Sequence, residues 1–228
     1  MTKAISPAST AMPLRVDIVS DVVCPWCIIG YKQFTKAVAA MPGCFELDIH
    51  WHPFELNPAM PDEGQNVKEH IEQKYGKPAS DGGGRSRIKT LGDTLGFAFN
   101  GDDNSRVVNT FKAHQLLHWA QHYNRQTALK LALFKAYFTH QRDVNDNAVL
   151  VAIAAGVGLP EQEANEVLSD QRYADTVRKE QQRWRDKEIY SVPMFYFNEL
   201  YAIPGAQEAD TFVRYLEKIR QKELGNQN

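Results

Sequence analysis

Leu14-Arg15-Val16-Asp17-Ile18-Val19-Ser20-Asp21-Val22-Val23-Cys24-Pro25-Trp26-Cys27 is the stretch that decides the fold. Its loosely alternating apolar run, ending near Ser20, reads as a buried strand. Beyond the second cysteine, Ile28, Ile29, Tyr31, Phe34, Val38 and Met41 recur at helical spacing until Pro42-Gly43 stops them. Pro25 suits a first helical turn, because its ring fixes φ and its missing N–H would have had no partner there. Cys24 is therefore expected at the helix N-terminus. There the free N–H groups and the dipole should favour a thiolate and lower its pKa below the free value of about 8.5. Cys27, one turn deeper, is expected to be more buried and to act as the resolving thiol. Trp26, between the two, is expected half-exposed at the rim.

A Cys-x-x-Cys pair at a strand–helix junction reads as a thioredoxin-like redox motif. A structural zinc site needs four ligands, and the one remaining cysteine, Cys44, stands alone and reads as a small buried hydrophobe. A structural disulfide across so short a loop would constrain the unfolded chain little. Dithiol–disulfide exchange is the stronger reading.

Cys44 to Trp51 alternates at period two, with Phe45, Leu47, Ile49 and Trp51 on one face, and reads as a second strand. From Pro61 to Lys187 the signals are helical, with helices expected over 67–75, 88–95, 105–123, 127–139, 148–155, 161–168 and 173–187. Gly82-Gly83-Gly84 lacks the preceding strand and following Lys-Ser/Thr of a phosphate loop, so it reads as a mobile loop. Strand patterning resumes only at Met194-Phe195-Tyr196-Phe197, turns at Asn198-Glu199 and continues through Leu200 to Ile203. A last helix is expected over 208–222 with Phe212, Leu216 and Ile219 inward. This is an α/β chain, a thioredoxin-like fold with a large helical insertion. Residues 14–60 and 188–224 would form the thioredoxin-like domain, 61–187 the insertion and 1–13 a flexible tail.

The 228 residues suffice for one such unit. A net charge of −2 with no basic stripe argues against nucleic acid, and no run is long enough to span a membrane. No signal peptide is legible, and three cysteines make no secreted disulfide framework, so a cytoplasmic location is expected. His114, His118 and His122 share a helical face, and His50 and His52 a strand face. Structural or substrate-lining roles are expected for them, and no metal.

The Cys-Pro-Trp-Cys helix, Val192-Pro193 ahead of a hairpin, and the closing helix resemble the DsbA-like thioredoxin family. Trp51-His52-Pro53-Phe54-Glu55-Leu56-Asn57-Pro58, Asn109-Thr110 with Ala113-His114, Leu117-His118-Trp119-Ala120 and Gly205-Ala206-Gln207 resemble its FrnE-like branch. That branch is related to hydroxychromene-carboxylate isomerases and kappa-class glutathione transferases. The resemblance implies that Pro193 is cis and that the Val192 main chain pairs with a substrate segment held against Cys24. It implies protein or peptide disulfides, or small thiols, as partners, with glutathione a thiol partner rather than a tightly bound cofactor. The family's buried acid six positions before the first cysteine is replaced by Ile18. Asp17 and Asp21 flank that position and are expected to point elsewhere or lie nearer the surface, so no general base is assigned. The rival function is a glutathione-dependent isomerase or transferase, for which Asn57 and Asn109 would line a small-molecule pocket. Relatives with that chemistry carry Ser where this chain has Cys24, which favours redox chemistry here. The oligomeric state is left open.

Overall fold

The computed structural model describes residues 11–76 and 83–225. Within them, β1 (Met12–Ser20), β2 (Phe45–Pro53), β5 (Met194–Phe197) and β6 (Tyr201–Pro204) form one sheet in the order β2-β1-β5-β6, while β3 (Gln65–Asn66) and β4 (Arg106–Val107) pair separately. β1 runs parallel to β2 and antiparallel to β5, which is antiparallel to β6. Neighbours on both edges explain why its last five residues are all buried. β1 begins two residues earlier than its apolar pattern suggested, because Met12 donates to the Cys44 carbonyl and so extends the parallel ladder. Residues 1–10 of the expected tail lie outside the described residues.

The parallel β1–β2 pair needs a crossover, and α1 (Pro25–Ala39) supplies it. Its inward face of Ile28, Tyr31, Phe34 and Ala37 packs on the sheet. Phe34 is fully buried, with ring centroids of Phe195, Phe197 and Phe212 at 5.9, 5.8 and 5.7 Å. Phe212, Leu216 and Ile219 of the last helix complete this core, as expected.

The insertion holds α2 (Val67–Tyr75), α3 (Gly83–Thr94), α4 (Phe111–Trp119), α5 (Gln126–Phe134), α6 (Asn147–Gly156), α7 (Glu161–Asp170) and α8 (Ala174–Asp186), and the last helix is α9 (Ala209–Gly225). Asn66 and Asp146 accept from backbone N–H groups at the starts of α2 and α6. Gly83 and Gly84 open α3 rather than belonging to a loop, while Gly82 lies outside the described residues. The helix expected from residue 105 starts at Phe111, because Arg106-Val107 pairs with Gln65-Asn66 instead. Two-residue strands carry too little periodicity to announce themselves. Cys44 is half-buried, not buried, at the mouth of β2.

α5 joins the two parts. Leu129 and Leu133 enter the insertion's own core, and Phe134 enters the sheet-side core. At the start of α5 the Gln126 amide accepts from Trp51 N and donates to Trp51 O, both at 2.8 Å. It thereby substitutes for a neighbouring strand along the outer edge of β2, where unpaired groups would otherwise be left. Trp51 Nε1 adds a 3.0 Å bond to Thr127 Oγ1. The insertion is thus locked onto the sheet edge nearest the dithiol end of β1.

Phe34→Ala should cost about 3–5 kcal/mol, the usual loss for a buried aromatic that leaves a cavity. Urea denaturation followed by circular dichroism measures it. A loss under about 1 kcal/mol would mean that Phe34 does not organise this core.

Candidate active site

Cys24 occupies the N-cap position of α1, with Pro25 at the first helical turn. The sequence expectation for Cys24, Pro25 and Cys27 is met in position: Cys24 is 3% exposed and Cys27 is fully buried one turn in. Val192-Pro193 is a cis peptide, as the resemblance implied. The Val192 carbonyl lies 3.8 Å from Cys24 Sγ. A Cβ placed on Gly30 would meet the Pro193 ring at 3.1 Å and Ala206 Cα at 3.2 Å, so a glycine in α1 lets this loop close on the helix. Trp26 is half-buried at the rim, and the Arg87 guanidinium of α3 lies 5.6 Å over its ring.

The electrostatics differ from the expectation for Cys24. Its thiol is pushed well up, first by the hydrogen bond to Cys27, then by burial, with the Asp21 carboxylate adding to both. The helix N-terminus does contribute an opposing N–H from Cys27, but it is outweighed. Burial works against a Cys27 thiolate too. There the Cys24 S–H, the Ser20 side chain and the Lys130 charge prevail and hold it below its ordinary value. In the singly ionised pair the proton therefore sits on Cys24 and the charge on Cys27.

Beneath the pair lie groups that the sequence reading missed. Asp21 is fully buried, contrary to the expected surface position. Its carboxylate accepts from Leu56 N at 2.8 Å and faces His114 Nε2 at 3.3 Å. Burial disfavours its ionisation, but His114, Leu56 N and Lys130 together hold its pKa low. Lys130 is fully buried, with Nζ 3.4 Å from the Ser20 carbonyl and 5.4 and 5.0 Å from the centroids of Trp51 and Phe134. Burial pulls it down to about 8, against the raising influence of Cys27, Asp21 and Cys24. One signal could have found it. Lys130 precedes Leu133 and Phe134 by three and four residues, which puts it on the buried stripe of α5.

The other expected substrate-binding residues are spread out. His114 is buried on Asp21, beneath the dithiol. Asn57 accepts from Lys74 Nζ at 2.9 Å, tying the stretch after β2 to α2. Asn109 donates to the Met60 carbonyl and accepts from Phe111 N, so both ends of its amide hold the chain just before α4. Glu55, in the same motif as Asn57, is buried against Arg178 and Gln181 of α8. Much of the Phe-Glu-Leu-Asn motif is thus committed to fastening the insertion.

A second buried polar cluster lies across the sheet end. Asp17 is buried but points away from the dithiol, as one of the two expected placements had it; it accepts from Arg15 at 2.8 Å and meets His52 Nε2 at 2.7 Å, while His52 Nδ1 meets Glu180 of α8 at 2.5 Å. In spite of burial, Asp17 is held low by His52 and Arg15, and Glu180 at about 2 by His118 and then His52, while His52 is raised although burial opposes its charge. Among the described residues no group of three or more His, Cys, Asp and Glu is arranged to hold a metal ion.

The DSBA-like thioredoxin domain model matches residues 15–217, and the chain belongs to that family. A structure described as a probable DsbA oxidoreductase, SCO1869 from Streptomyces coelicolor, superposes with a TM-score of 0.84 at 33% identity, covering 90% of this chain and 89% of that one. The cytosolic disulfide reductase DsbM from Pseudomonas aeruginosa with GSH superposes at 0.62 with 16% identity, over 91% and 99% of the two chains. A 2-hydroxychromene-2-carboxylate isomerase shares the fold at 0.68 with 11% identity, over 92% and 98%. The uncharacterized protein YwbO of Bacillus subtilis is 25% identical over 92% of this chain and its own full length. These neighbours include a DsbA oxidoreductase and a hydroxychromene-carboxylate isomerase, as the sequence resemblance implied.

The second cluster predicts a pH profile. A raised His52 stabilises the fold fully below its unfolded value of about 6.5, and that stability is lost as pH rises through its folded value. Depressed Asp17 and Glu180 stabilise above their unfolded values of about 4, and lose this as pH falls toward their folded values. Thermal stability should peak between about pH 5 and 6.5. In melts of His52→Gln the decline toward alkaline pH should be missing; a variant with the parent's profile would contradict this network.

Proposed function

We propose that the chain is a thiol–disulfide oxidoreductase that uses Cys24 and Cys27 as its redox pair. The observation that carries this is the placement of Cys24 at the tip of α1 against the Val192-Pro193 loop, with Cys27 buried behind it. Cys24 is the attacking sulfur, because it is the one at the N-cap facing the loop and the Trp26 rim. The electrostatics supply its thiolate by transfer: as Cys24 bonds to a substrate sulfur, its proton passes to the neighbouring Cys27 thiolate. The substrate S–S bond breaks and the first substrate thiolate leaves. Cys27 then attacks Cys24, expels the second thiolate and closes the intramolecular disulfide. Two electrons pass to the substrate; the reverse sequence oxidises a dithiol.

An extended segment laid along the Val192 main chain would be held by strand-like pairing beside Cys24. Arg87 over Trp26 supplies a cation at the same rim, which suits a thiol carrying a carboxylate, such as glutathione or an acidic peptide. The DsbM neighbour, described with GSH and as cytosolic, supports a small-thiol partner and a cytoplasmic setting for this reading.

Cys27→Ser should accumulate a mixed disulfide at Cys24 with glutathione or a peptide, seen by intact mass, and lose at least about 100-fold of its turnover. Cys24→Ser should trap nothing. Trapping only in Cys24→Ser would reverse the roles. Turnover that survives Cys27→Ser would point instead to glutathione chemistry at Cys24 alone.

A further inference from the structure

The redox reading leaves one step without a route. Cys27 has no exposed surface, yet after receiving the proton of Cys24 it must lose a proton before it can attack. The groups packed around it are Cys24 and Ser20 on its own side, Asp21 with its partner His114, and Lys130 from the insertion. Tyr137 feels the Asp21 charge, but its phenol donates to the Arg106 carbonyl at 2.8 Å and is pushed up by burial, so it stays protonated. Of these, Lys130 is the group that reaches from the insertion to the Ser20 carbonyl beside the dithiol, at 3.4 Å, and burial brings its amine down to about 8.

Lys130 also lines a cavity of about 10 Å³ at the seam between sheet and insertion, shared with His52, His114, His118, Gln126 and Glu180. That is room for about one water among several polar partners. The lining runs from fully buried Lys130 to Glu180 and His118, whose side chains are 17% and 22% exposed. His118 Nδ1 is buried with no hydrogen-bond partner among the described residues and lies 3.8 Å from Glu180 Oε2. The lining therefore reaches from the buried Lys130 amine to side chains that touch solvent.

We infer that Lys130 and this polar cavity form the proton exit of Cys27, so that the helical insertion supplies the acid–base group that the strand position at Ile18 lacks. The inference rests on the disulfide-exchange reading above.

In the singly ionised pair Cys24 is a thiol, Cys27 a thiolate and Lys130 an ammonium. When Cys24 enters the mixed disulfide and its proton moves to Cys27, the nearby negative charge disappears. The ammonium then loses its main support and releases its proton through the cavity toward Glu180 and His118. The neutral amine next accepts the Cys27 proton as that sulfur attacks. One proton has left through the cavity, one remains on Lys130, and two substrate thiolates have been released, so charge balances across the cycle.

Because Cys24 and Cys27 both favour the ammonium, the redox state of the pair and the protonation of Lys130 must be linked reciprocally. In wild-type protein with ¹³C-labelled lysine, the Lys130 Cε resonance should titrate near pH 8 in the dithiol form. Its midpoint should move to lower pH when diamide closes the Cys24–Cys27 disulfide. In single-turnover assays Lys130→Met, similar in volume and uncharged, should slow resolution of the mixed disulfide about 100-fold. It should also remove the ionisation near pH 8 from that step, and slow it more than the attack by Cys24. An identical Lys130 midpoint in both redox states would overturn the inference, as would a Lys130→Met resolution profile matching the parent's. Should Lys130→Met fail to fold, the wild-type titration decides alone. A wild-type protein that forms no mixed disulfide would refute the parent reading instead, and the two failures are told apart by that first step.

Discussion

A lone ammonium cannot be held out of water without compensation, since desolvation costs far more than packing returns. Lys130 is such a group, and its burial organises the middle of this molecule. The Ser20 carbonyl, the Asp21 carboxylate, the faces of Trp51 and Phe134 and the dithiol all have to converge on it. A desolvated cation over aromatic faces gains up to about 2 kcal/mol, which only the charged partners can complete. Those partners come from β1, α1 and β2 on one side and from α5 on the other. The thioredoxin-like part and the insertion therefore meet in a shared electrostatic floor rather than along a simple apolar seam. Gln126, paired both ways with Trp51, sets the register of that meeting.

The same constraint explains how the site divides labour. The thioredoxin-like part contributes the sulfurs and the Val192-Pro193 loop, all within contact of the α1 tip. The insertion contributes charge from behind, through Lys130 and His114, and a rim cation in front, through Arg87 over Trp26. Ile18 on the strand carries no charge, and the cation beneath the dithiol comes from α5, the helix that packs over it.

The parts legible in the sequence were those encoded locally. The strand-to-helix junction at Cys24 and the inward stripe Phe212, Leu216 and Ile219 each follow from residues within a few positions of one another. What escaped depends on partners far along the chain. Asp21 meets His114 across 93 residues and His52 meets Glu180 across 128, so no local pattern marks either pairing. The same holds for the Cys24 thiol. A helix N-terminus predicts a lowered pKa from local geometry alone, whereas Cys27, Asp21 and burial reverse it. Asn57 and Asn109 looked like pocket residues in a motif. Their amides are instead spent on Lys74, Met60 and Phe111, contacts that only the folded chain discloses.

Equilibration of the wild-type protein in buffers of defined reduced-to-oxidised glutathione ratio, read by the fluorescence of Trp26 and by mass, tests the central claim most directly. The account predicts one reversible two-electron transition of about 30 mV per tenfold change in ratio, with a Cys24–Cys27 disulfide as the oxidised species and Cys44 unchanged. Oxidation that yields only glutathionylated Cys44, or no Cys24–Cys27 bond at any ratio, would contradict it.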